Sequence, residues 1–366
     1  MLSRAGYGRL KKTQKGSDIL EHHSALIAMS GGVDSSVAAH LTMEEGLRCG
    51  GATMRLLPTF DTSDAQNVAA RLGIPFYVLD MQEDFRREVM DHFTACYEAG
   101  LTPNPCVICN RRMKFGAFLD KALELGYDCV VTGHYARIHF DSRTGRYLLR
   151  KAADESKDQT YFLYGLDQEQ LRRSRFPLGS LSKADARKIA QEQGFLNARK
   201  KDSQDICFVP DGDYVAFLEQ YTGTTYAPGD YLDLNGKVMG RHKGAVAYTL
   251  GQRKGLGLAM GAPVYVCHKD MPANTVTVGP EEVLFRNELL ADDWNWLAFS
   301  HLTQPIRAKA KARSRMTEQW ATIYPGESGP ARVDFDAPQR AITPGQAVVL
   351  YDNDLVIGGG TIRQVL

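Results

Sequence analysis

The sequence predicts an α/β protein: an N-terminal parallel sheet covered by helices, then a small central domain and a C-terminal β-barrel-like domain. Three observations predict it. Short apolar runs alternate with helix-period segments over the first third of the chain. Helical periodicity weakens from about residue 211, and Val-, Thr- and Gly-rich strand patterns fill the remainder. With 366 residues there is room for two or three such domains.

The elements follow in order. Leu26-Ile27-Ala28-Met29 is an apolar run ending at Ser30-Gly31-Gly32, the pattern of a buried strand entering a turn. Val33, Val37, Ala38 and Leu41 recur at helical spacing, with Gly46 as the stop. A second strand is expected from Gly51 to Met54, a helix from Asp61 to Leu72, a third strand from Phe76 to Leu79 and a helix from Glu83 to Ala99. After a Pro-rich turn comes a helix carrying Phe115, Phe118, Leu119 and Leu123, then the strand Cys129-Val130-Val131-Thr132. Strands alternating with helices pair in parallel and bury both faces. Further on, Val264-Tyr265-Val266, Thr275-Val276-Thr277-Val278 and Val348-Val349-Leu350-Tyr351 read as strands. Asp352-Asn353-Asp354 reads as a turn before Leu355-Val356-Ile357. We divide the chain into a basic flexible tail (1–24), the α/β domain (25–210), the central domain (211–283) and the C-terminal domain (284–366).

Composition narrows the class. Hydrophobic residues at 43% and charged residues at 24% are those of a globular protein. No apolar run approaches the ~18 residues that span a bilayer, so no membrane segment is expected. The net charge of +1 excludes a generally basic coat, yet residues 1–17 and 294–317 carry cations without a single acid. Seven cysteines, an odd number, do not make a secreted disulfide scaffold, and the N-terminus has no apolar signal region; a cytoplasmic protein is expected.

Ser30-Gly31-Gly32-Val33-Asp34-Ser35-Ser36 stands between the first strand and the first helix, where backbone amides and the helix N-terminus favour an anion. The Walker lysine is missing, and so is the Gly-x-Gly-x-x-Gly fingerprint of dinucleotide enzymes. The string resembles the phosphate loop of ATP pyrophosphatases. Asp34 is the candidate to help hold Mg²⁺ at the phosphates.

Cys106 and Cys109 form a CxxC pair after a rigid turn, with Arg111, Arg112 and Lys114 close behind. Cations and a helix N-terminus lower a thiol pKa, so reactive thiolates are expected. Cys207 follows about a hundred residues later, preceded by Arg199, Lys200 and Lys201. A zinc ribbon needs a second pair, and Cys207 is single. Cys49, Cys96, Cys129 and Cys267 sit in apolar contexts and are expected to pack.

Arg307, Lys309, Lys311, Arg313 and Arg315 alternate with small residues, so a strand would present all five cations on one face. That face suits a phosphate backbone.

The motifs SGGVDSS, TPNPCVICNRRMKF, VTGHYARI, KDQTYFLYGL, KKDSQDICFV and YTLGQRKGLG occur in the order found in the tRNA-specific 2-thiouridylases, of the PP-loop ATP pyrophosphatase superfamily. The resemblance runs from about Ala25 to Leu366. It implies ATP-dependent 2-thiolation of the wobble uridine (position 34) of tRNA in a PP-loop domain, with tRNA binding by the two later domains. The resemblance further implies that ATP adenylates the C2 oxygen, a persulfide on Cys207 brings the sulfur, and Cys109 is the nucleophile, either on the uridine adduct or on the persulfide to free sulfide. Either route can end in a Cys109–Cys207 disulfide that a reductant must reopen.

By the same resemblance Ala28, Met29, Ser30, Gly31, Gly32, Val33, Asp34, Ser35, Met54 and Gly133 hold ATP, and Asn104, Pro105 and Cys106 lie beside the target base. His134, Lys157, Asp158, Gln159, Arg313, Ser314 and Gln346 contact tRNA, with Lys157-Asp158-Gln159 opening the helix of Tyr161, Phe162 and Leu163. The implied partners are tRNAs with Lys, Glu and Gln acceptors and a persulfide-donor protein.

The chain departs from the family at three places. Cys106 replaces an Asp of many members, Ser314 replaces a Tyr, and the segment between Met54 and Asp61 is short. Cys106, Cys109 and Cys207 are therefore also candidate ligands of a [4Fe–4S] cluster. An adenylating amide ligase would use the same loop but leave Cys109, Cys207 and the basic strand without roles.

Overall fold

The computed structural model describes residues 22–59, 61–198, 200, 206–259, 261–326 and 329–366. Most of the basic tail (1–21), and Arg199 and Lys201 ahead of Cys207, lie outside the described residues.

The first strand, β1 (Ser24–Ala28), is buried from Ser24 to Ile27 because Ala25, Leu26 and Ile27 are covered from both faces. Its helix α1 (Val33–Glu44) packs back on the sheet through Val33, Val37, Ala38 and Ala39. Then come β2 (Arg48–Arg55), α2 (Ser63–Leu72) and β3 (Phe76–Asp80). A helical run follows as Gln82–Phe85, Arg86–Met90 and Asp91–Glu98, its middle segment wound in wider π-type turns. A second run, Pro105–Ile108, Cys109–Ala117 and Phe118–Glu124, has the same character. Such widened turns recur at functional sites, and here the widening starts at Cys109.

The chain returns through β4 (Cys129–Val131), leaves in a hairpin of β5 (Arg137–Asp141) and β6 (Arg146–Arg150), and adds β7 (Ser174–Arg175). The parallel sheet has the order β3-β2-β1-β4-β7. The chain moves outward from β1 on one side and resumes with β4 on the other. The crevice at the carboxyl ends of β1 and β4 is thus a topological switch point, where α/β sheets bind ligands.

The central domain is a sheet of β8 (Gly229–Leu232), β9 (Val238–His242), β10 (Tyr265–Asp270) and β11 (Thr275–Gly279) in the order β10-β11-β8-β9. The C-terminal domain contains β12 (Phe285–Trp296), β13 (Ile306–Lys311), β14 (Gln319–Tyr324), β15 (Ala331–Arg340), β16 (Ala347–Asp352) and β17 (Leu355–Val365). They run β12-β15-β14-β13-β16-β17, and β17 also pairs with β12, which closes the barrel. Closure removes the exposed edges of an open sheet. Ala308, Ala310 and Ala312 point inward against Ala321, Ile323 and Phe335.

The domains share packing. Arg150 of β6 registers with Leu355 of β17, and Asp354 accepts hydrogen bonds from Arg137 and Arg150 at 3.0 and 2.7 Å. One continuous core contains Leu26, Phe85 and Met113 together with Val349, Tyr351 and Val356 of the barrel. No helix among the described residues is long and apolar enough to cross a membrane.

Two expectations are corrected. Lys157-Asp158-Gln159 does not open a helix; it links two short 3-10 turns, Glu155–Lys157 and Thr160–Phe162. Asp158 is non-helical (φ −52°, ψ 127°), and its carboxylate accepts from Ala152 N at 3.0 Å and Thr160 Oγ1 at 2.6 Å. The basic alternation holds in β13 through Lys311, but Arg313, Ser314 and Arg315 follow in a bend and turn.

Candidate active site

The phosphate loop leaves β1 at the switch point and is braced from below. Met29 N donates to Ala52 O at 2.8 Å, and Thr53 Oγ1 donates to Met29 O at 2.5 Å. Ser35 and Ser36 hydroxyls donate to Gly32 O at 3.1 and 3.0 Å. Asn197 Nδ2 donates to Gly31 O and Ser36 Oγ, both at 3.0 Å. Gly32 caps α1 without a side-chain hydrogen bond, so the first-turn amides keep their donors for an anion. Gly133, just past β4, touches this loop: a Cβ there would lie 2.7 Å from Asp34 C and 2.8 Å from Ser35 N. Glycine is what lets β4 end against the loop.

This loop forms one wall of a cavity of about 650 Å³, a size ordinary for a small-molecule site. Ala28, Met29, Ser30, Gly32, Val33, Asp34, Ser35, Met54 and Gly133 line it, while Gly31 lies behind, its φ of 72° placing it against Asp64. Pro105, Cys106, Cys109 and Cys207 line the same space, with His134, Lys157 and Gln159. Asn104 and Asp158 are not on its wall, and Arg313, Ser314 and Gln346 are elsewhere.

Cys207 is set by its neighbour. Phe208 is buried against Phe93 at 5.1 Å and Phe85 at 5.7 Å between ring centroids. Cys106 and Cys207 are exposed free thiols and Cys109 is a buried one. The expectation of depressed thiol pKa values is not met. Desolvation pushes the buried Cys109 up to about 11 and, through the protein crowded around the cavity, also raises Cys106 and Cys207, which still reach solvent; the opposing pull of Lys114 on each is smaller. The reason is packing: Cys109 follows a full turn of helix and sits in the core, away from the helix N-terminus.

Residues that the sequence did not single out complete the polar wall. Lys183 Nζ is 2.8 Å from each oxygen of Asp34, and Tyr135 OH donates to Asp34 Oδ1 at 2.9 Å. Lys183 opens the helix Lys183–Glu192, whose Ser182–Asp185 capping box fixes its first turn. Its signal in the sequence is that Ser-x-x-Asp start alone, which says nothing about a distant phosphate loop. Asp34 is the one carboxylate on the cavity wall among the described residues, so a Mg²⁺ ion would draw on it by displacing the Lys183 ammonium. Among the described residues no His, Cys, Asp or Glu side chains group in threes able to hold a metal ion. The donor set for an iron–sulfur cluster is not assembled by Cys106, Cys109 and Cys207 in this arrangement.

The residues expected to meet tRNA divide. His134 is buried, with Nδ1 2.7 Å from Thr132 Oγ1 and its ring against Phe115 and Phe176. Burial holds its pKa well below the usual imidazole value, so it is neutral at pH 7. Gln159 Oε1 accepts from Tyr135 N at 2.9 Å and so orients the tyrosine that reaches Asp34. Burial raises the Asp158 pKa, and its carboxylate is spent on the turn described above. Arg313 turns inward: its Nη2 donates to Leu250 O of the central domain at 3.0 Å and to Thr343 Oγ1. Its Nη2 is committed to protein acceptors, its Nε is buried with no hydrogen-bond partner among the described residues, and burial lowers its pKa. Ser314 lies in the turn beside it. On the outer face of β13, Arg307 is bidentate to Asp336 at 2.6 and 2.7 Å. Arg307 and Lys309 both flank Trp320, at 5.5 and 5.8 Å from the ring, and Trp320 is 49% exposed.

Among the packing cysteines, Cys49 and Cys129 are buried and Cys96 and Cys267 half-buried, and burial raises each thiol.

Comparison with known proteins agrees in sequence along nearly the whole chain. Residues 23–211 match the family model described as the tRNA methyl transferase HUP domain, 215–280 the tRNA methyl transferase PRC-barrel domain, and 286–362 the aminomethyltransferase beta-barrel domain. The tRNA-specific 2-thiouridylase MnmA of Acetivibrio thermocellus is 46% identical, over 92% of this chain and 98% of its own length. The protein of the same name from Symbiobacterium thermophilum is 47% identical over 98% of each chain. That of Moorella thermoacetica is 48% identical over 93% of this chain and 99% of its own.

Proposed function

The chain belongs to the tRNA-specific 2-thiouridylase family, ATP-using tRNA sulfurtransferases, and on that premise we propose that it 2-thiolates the wobble uridine (position 34) of tRNA by adenylation and a cysteine persulfide relay. One observation carries the reading: the phosphate loop and the thiols of Cys106, Cys109 and Cys207 open onto one cavity.

The chemistry divides along that cavity. The uridine C2 oxygen attacks the α-phosphorus of ATP and pyrophosphate leaves; first-turn amides of α1 and the Lys183 ammonium stabilise the charge that gathers on the phosphates. Bound Mg²⁺ would supply further positive charge there, with Asp34 its candidate ligand. The terminal sulfur of a Cys207 persulfide then attacks C2 and AMP leaves. The minor thiolate form of Cys109, its proton released to solvent and its charge favoured by Lys114 against the larger effect of burial, attacks the Cys207 sulfur; the S–S bond breaks, the 2-thiouridine departs and a Cys109–Cys207 disulfide forms. A two-electron thiol reductant reopens it. On this reading the substrates are tRNAs with Lys, Glu and Gln acceptors, and a persulfide-carrying protein donates the sulfur.

The test is anaerobic thiolation of unmodified tRNA by iron-free protein with ATP and a persulfide donor, read by mass spectrometry of the nucleosides. Cys207→Ser should make no 2-thiouridine while retaining tRNA binding and tRNA-dependent pyrophosphate release. Thiolation by that variant, or activity restricted to cluster-reconstituted protein, would end the relay reading.

A further inference from the structure

The segment leading into the CxxC helix is tied to the C-terminal barrel. Thr102 N donates to Pro344 O at 3.0 Å. The Gln346 carboxamide nitrogen donates to Thr102 O at 2.8 Å and reaches Pro103 O at 3.4 Å. Gly345, at φ 90°, comes so near that a Cβ would lie 2.9 Å from Thr102 N and 3.0 Å from Leu101 Cβ. The barrel side of this contact is itself held: Gly345 N donates to Ile362 O, and Ile362 N to Gln346 O, each at 2.8 Å. Arg313 braces the same loop through Thr343, and the buried Tyr161 hydroxyl donates to Ala347 O at 2.9 Å.

Three residues separate this anchor from the first thiol. Pro103 is buried, Asn104 accepts from Val107 N at 3.1 Å, and Pro105 starts the helix of Cys106 with a fixed φ. Little play remains between Thr102 and Cys106. The placement of Cys106 and Cys109 is therefore referenced to the barrel as much as to their own domain.

We propose that Gln346 is a positioning residue for Cys106 and Cys109, its carboxamide nitrogen clamping Thr102-Pro103, in addition to the tRNA contact that the family resemblance gives it. The inference rests on the reading of Cys109 as a participant in sulfur transfer. Side-chain chemistry supports it. A primary amide has two N–H donors for two carbonyls. Glu would set a carboxylate against those carbonyl oxygens, and Met keeps the length without a donor.

The experiment uses the full chain without ATP or tRNA. Alkylation of Cys109 by iodoacetamide is timed by peptide mass spectrometry, with fragment ions separating it from Cys106. Gln346→Met should speed alkylation about fivefold, the effect of losing one such hydrogen bond on a local opening. Gln346→Glu should speed it further. In thiolation assays kcat should fall. Unchanged alkylation of Cys109 in both variants would overturn the proposal, whatever happens to tRNA binding, and leave Gln346 as an RNA contact alone. Should Gln346→Glu fail to fold, Gln346→Met decides, since it adds no charge. The alkylation rate needs no catalysis, so it reads this clamp even if the thiolation reading fails.

Discussion

Lys183 and Asp34, 149 positions apart, meet at the mouth of the phosphate loop with the ammonium 2.8 Å from both carboxylate oxygens. The pair is largely shielded, with side-chain exposures of 11% and 31%. A cation so placed is at hand for the phosphates of ATP and is held there by an acid until they arrive. On the proposed reading, Lys183 supplies the positive charge of the missing Walker lysine once phosphates or Mg²⁺ release it from Asp34.

Lys183→Met should therefore slow tRNA-dependent pyrophosphate release by about 10²-fold, the usual cost of removing a preorganised charge contact. It should also cost about 1–3 kcal/mol of stability by leaving Asp34 without its counter-ion, with only the Tyr135 hydroxyl as a donor among the described residues. Asp34→Asn combined with Lys183→Met isolates the stability effect: thermal stability should recover, while the rate, now short of the candidate Mg²⁺ ligand as well, should not. A double variant that regains the rate would take Lys183 out of the phosphate chemistry.

The thiols set a pH dependence. Burial favours the protonated form of Cys109 and moves its pKa from 9.0 to about 11. Below that value its thiolate fraction climbs about tenfold per pH unit, and the thiolate is the nucleophile. In the protein without substrates, alkylation of Cys109 should rise from pH 7 to pH 9 without a plateau. The stability supplied by the buried neutral thiol is present in full below the ordinary value and is lost as pH rises through about 11. A plateau near pH 7 would mean that Lys114 outweighs burial and that the resting thiol is already activated.

What the sequence disclosed depended on contiguity. The phosphate loop was legible because strand, glycines and helix start are consecutive, and backbone amides need no distant partner. The parallel order around β1 was legible as alternation, and the closing of β12 on β17 was expected in outline. Lys183 and Tyr135 were not legible as partners of Asp34, because only the fold brings three separate segments together. The β5–β6 hairpin extending the barrel sheet has no local mark of its destination. Motif reasoning about charge read Arg111 and Lys114 as activating a thiol, but the apolar packing around Cys109, which decides its pKa, comes from residues far along the chain. Alternation marked Arg313 as a face residue; the strand stops at Lys311, and the bend that follows turns the guanidinium toward Leu250 and Thr343.

That turn separates two arginines and a lysine that look equivalent in the sequence. Arg307 is neutralised by Asp336, and Arg313 is committed to the domain contact. Lys309 stands on the outer face beside the exposed Trp320, with no ion pair among the described residues. A cation next to an open aromatic ring suits a phosphate and an unpaired base together. Lys309→Ala should weaken tRNA binding and reduce the slope of log affinity against log salt by about 1, the share of one phosphate contact. Arg313→Ala should leave that slope unchanged and lower stability by about 1–3 kcal/mol, because Leu250 and Thr343 lose their donor. Filter binding across a salt series and thermal melting read the two effects independently. If Arg313→Ala flattens the slope and Lys309→Ala does not, the guanidinium leaves its internal partners for RNA, and the tRNA path runs over the bend instead of across β13.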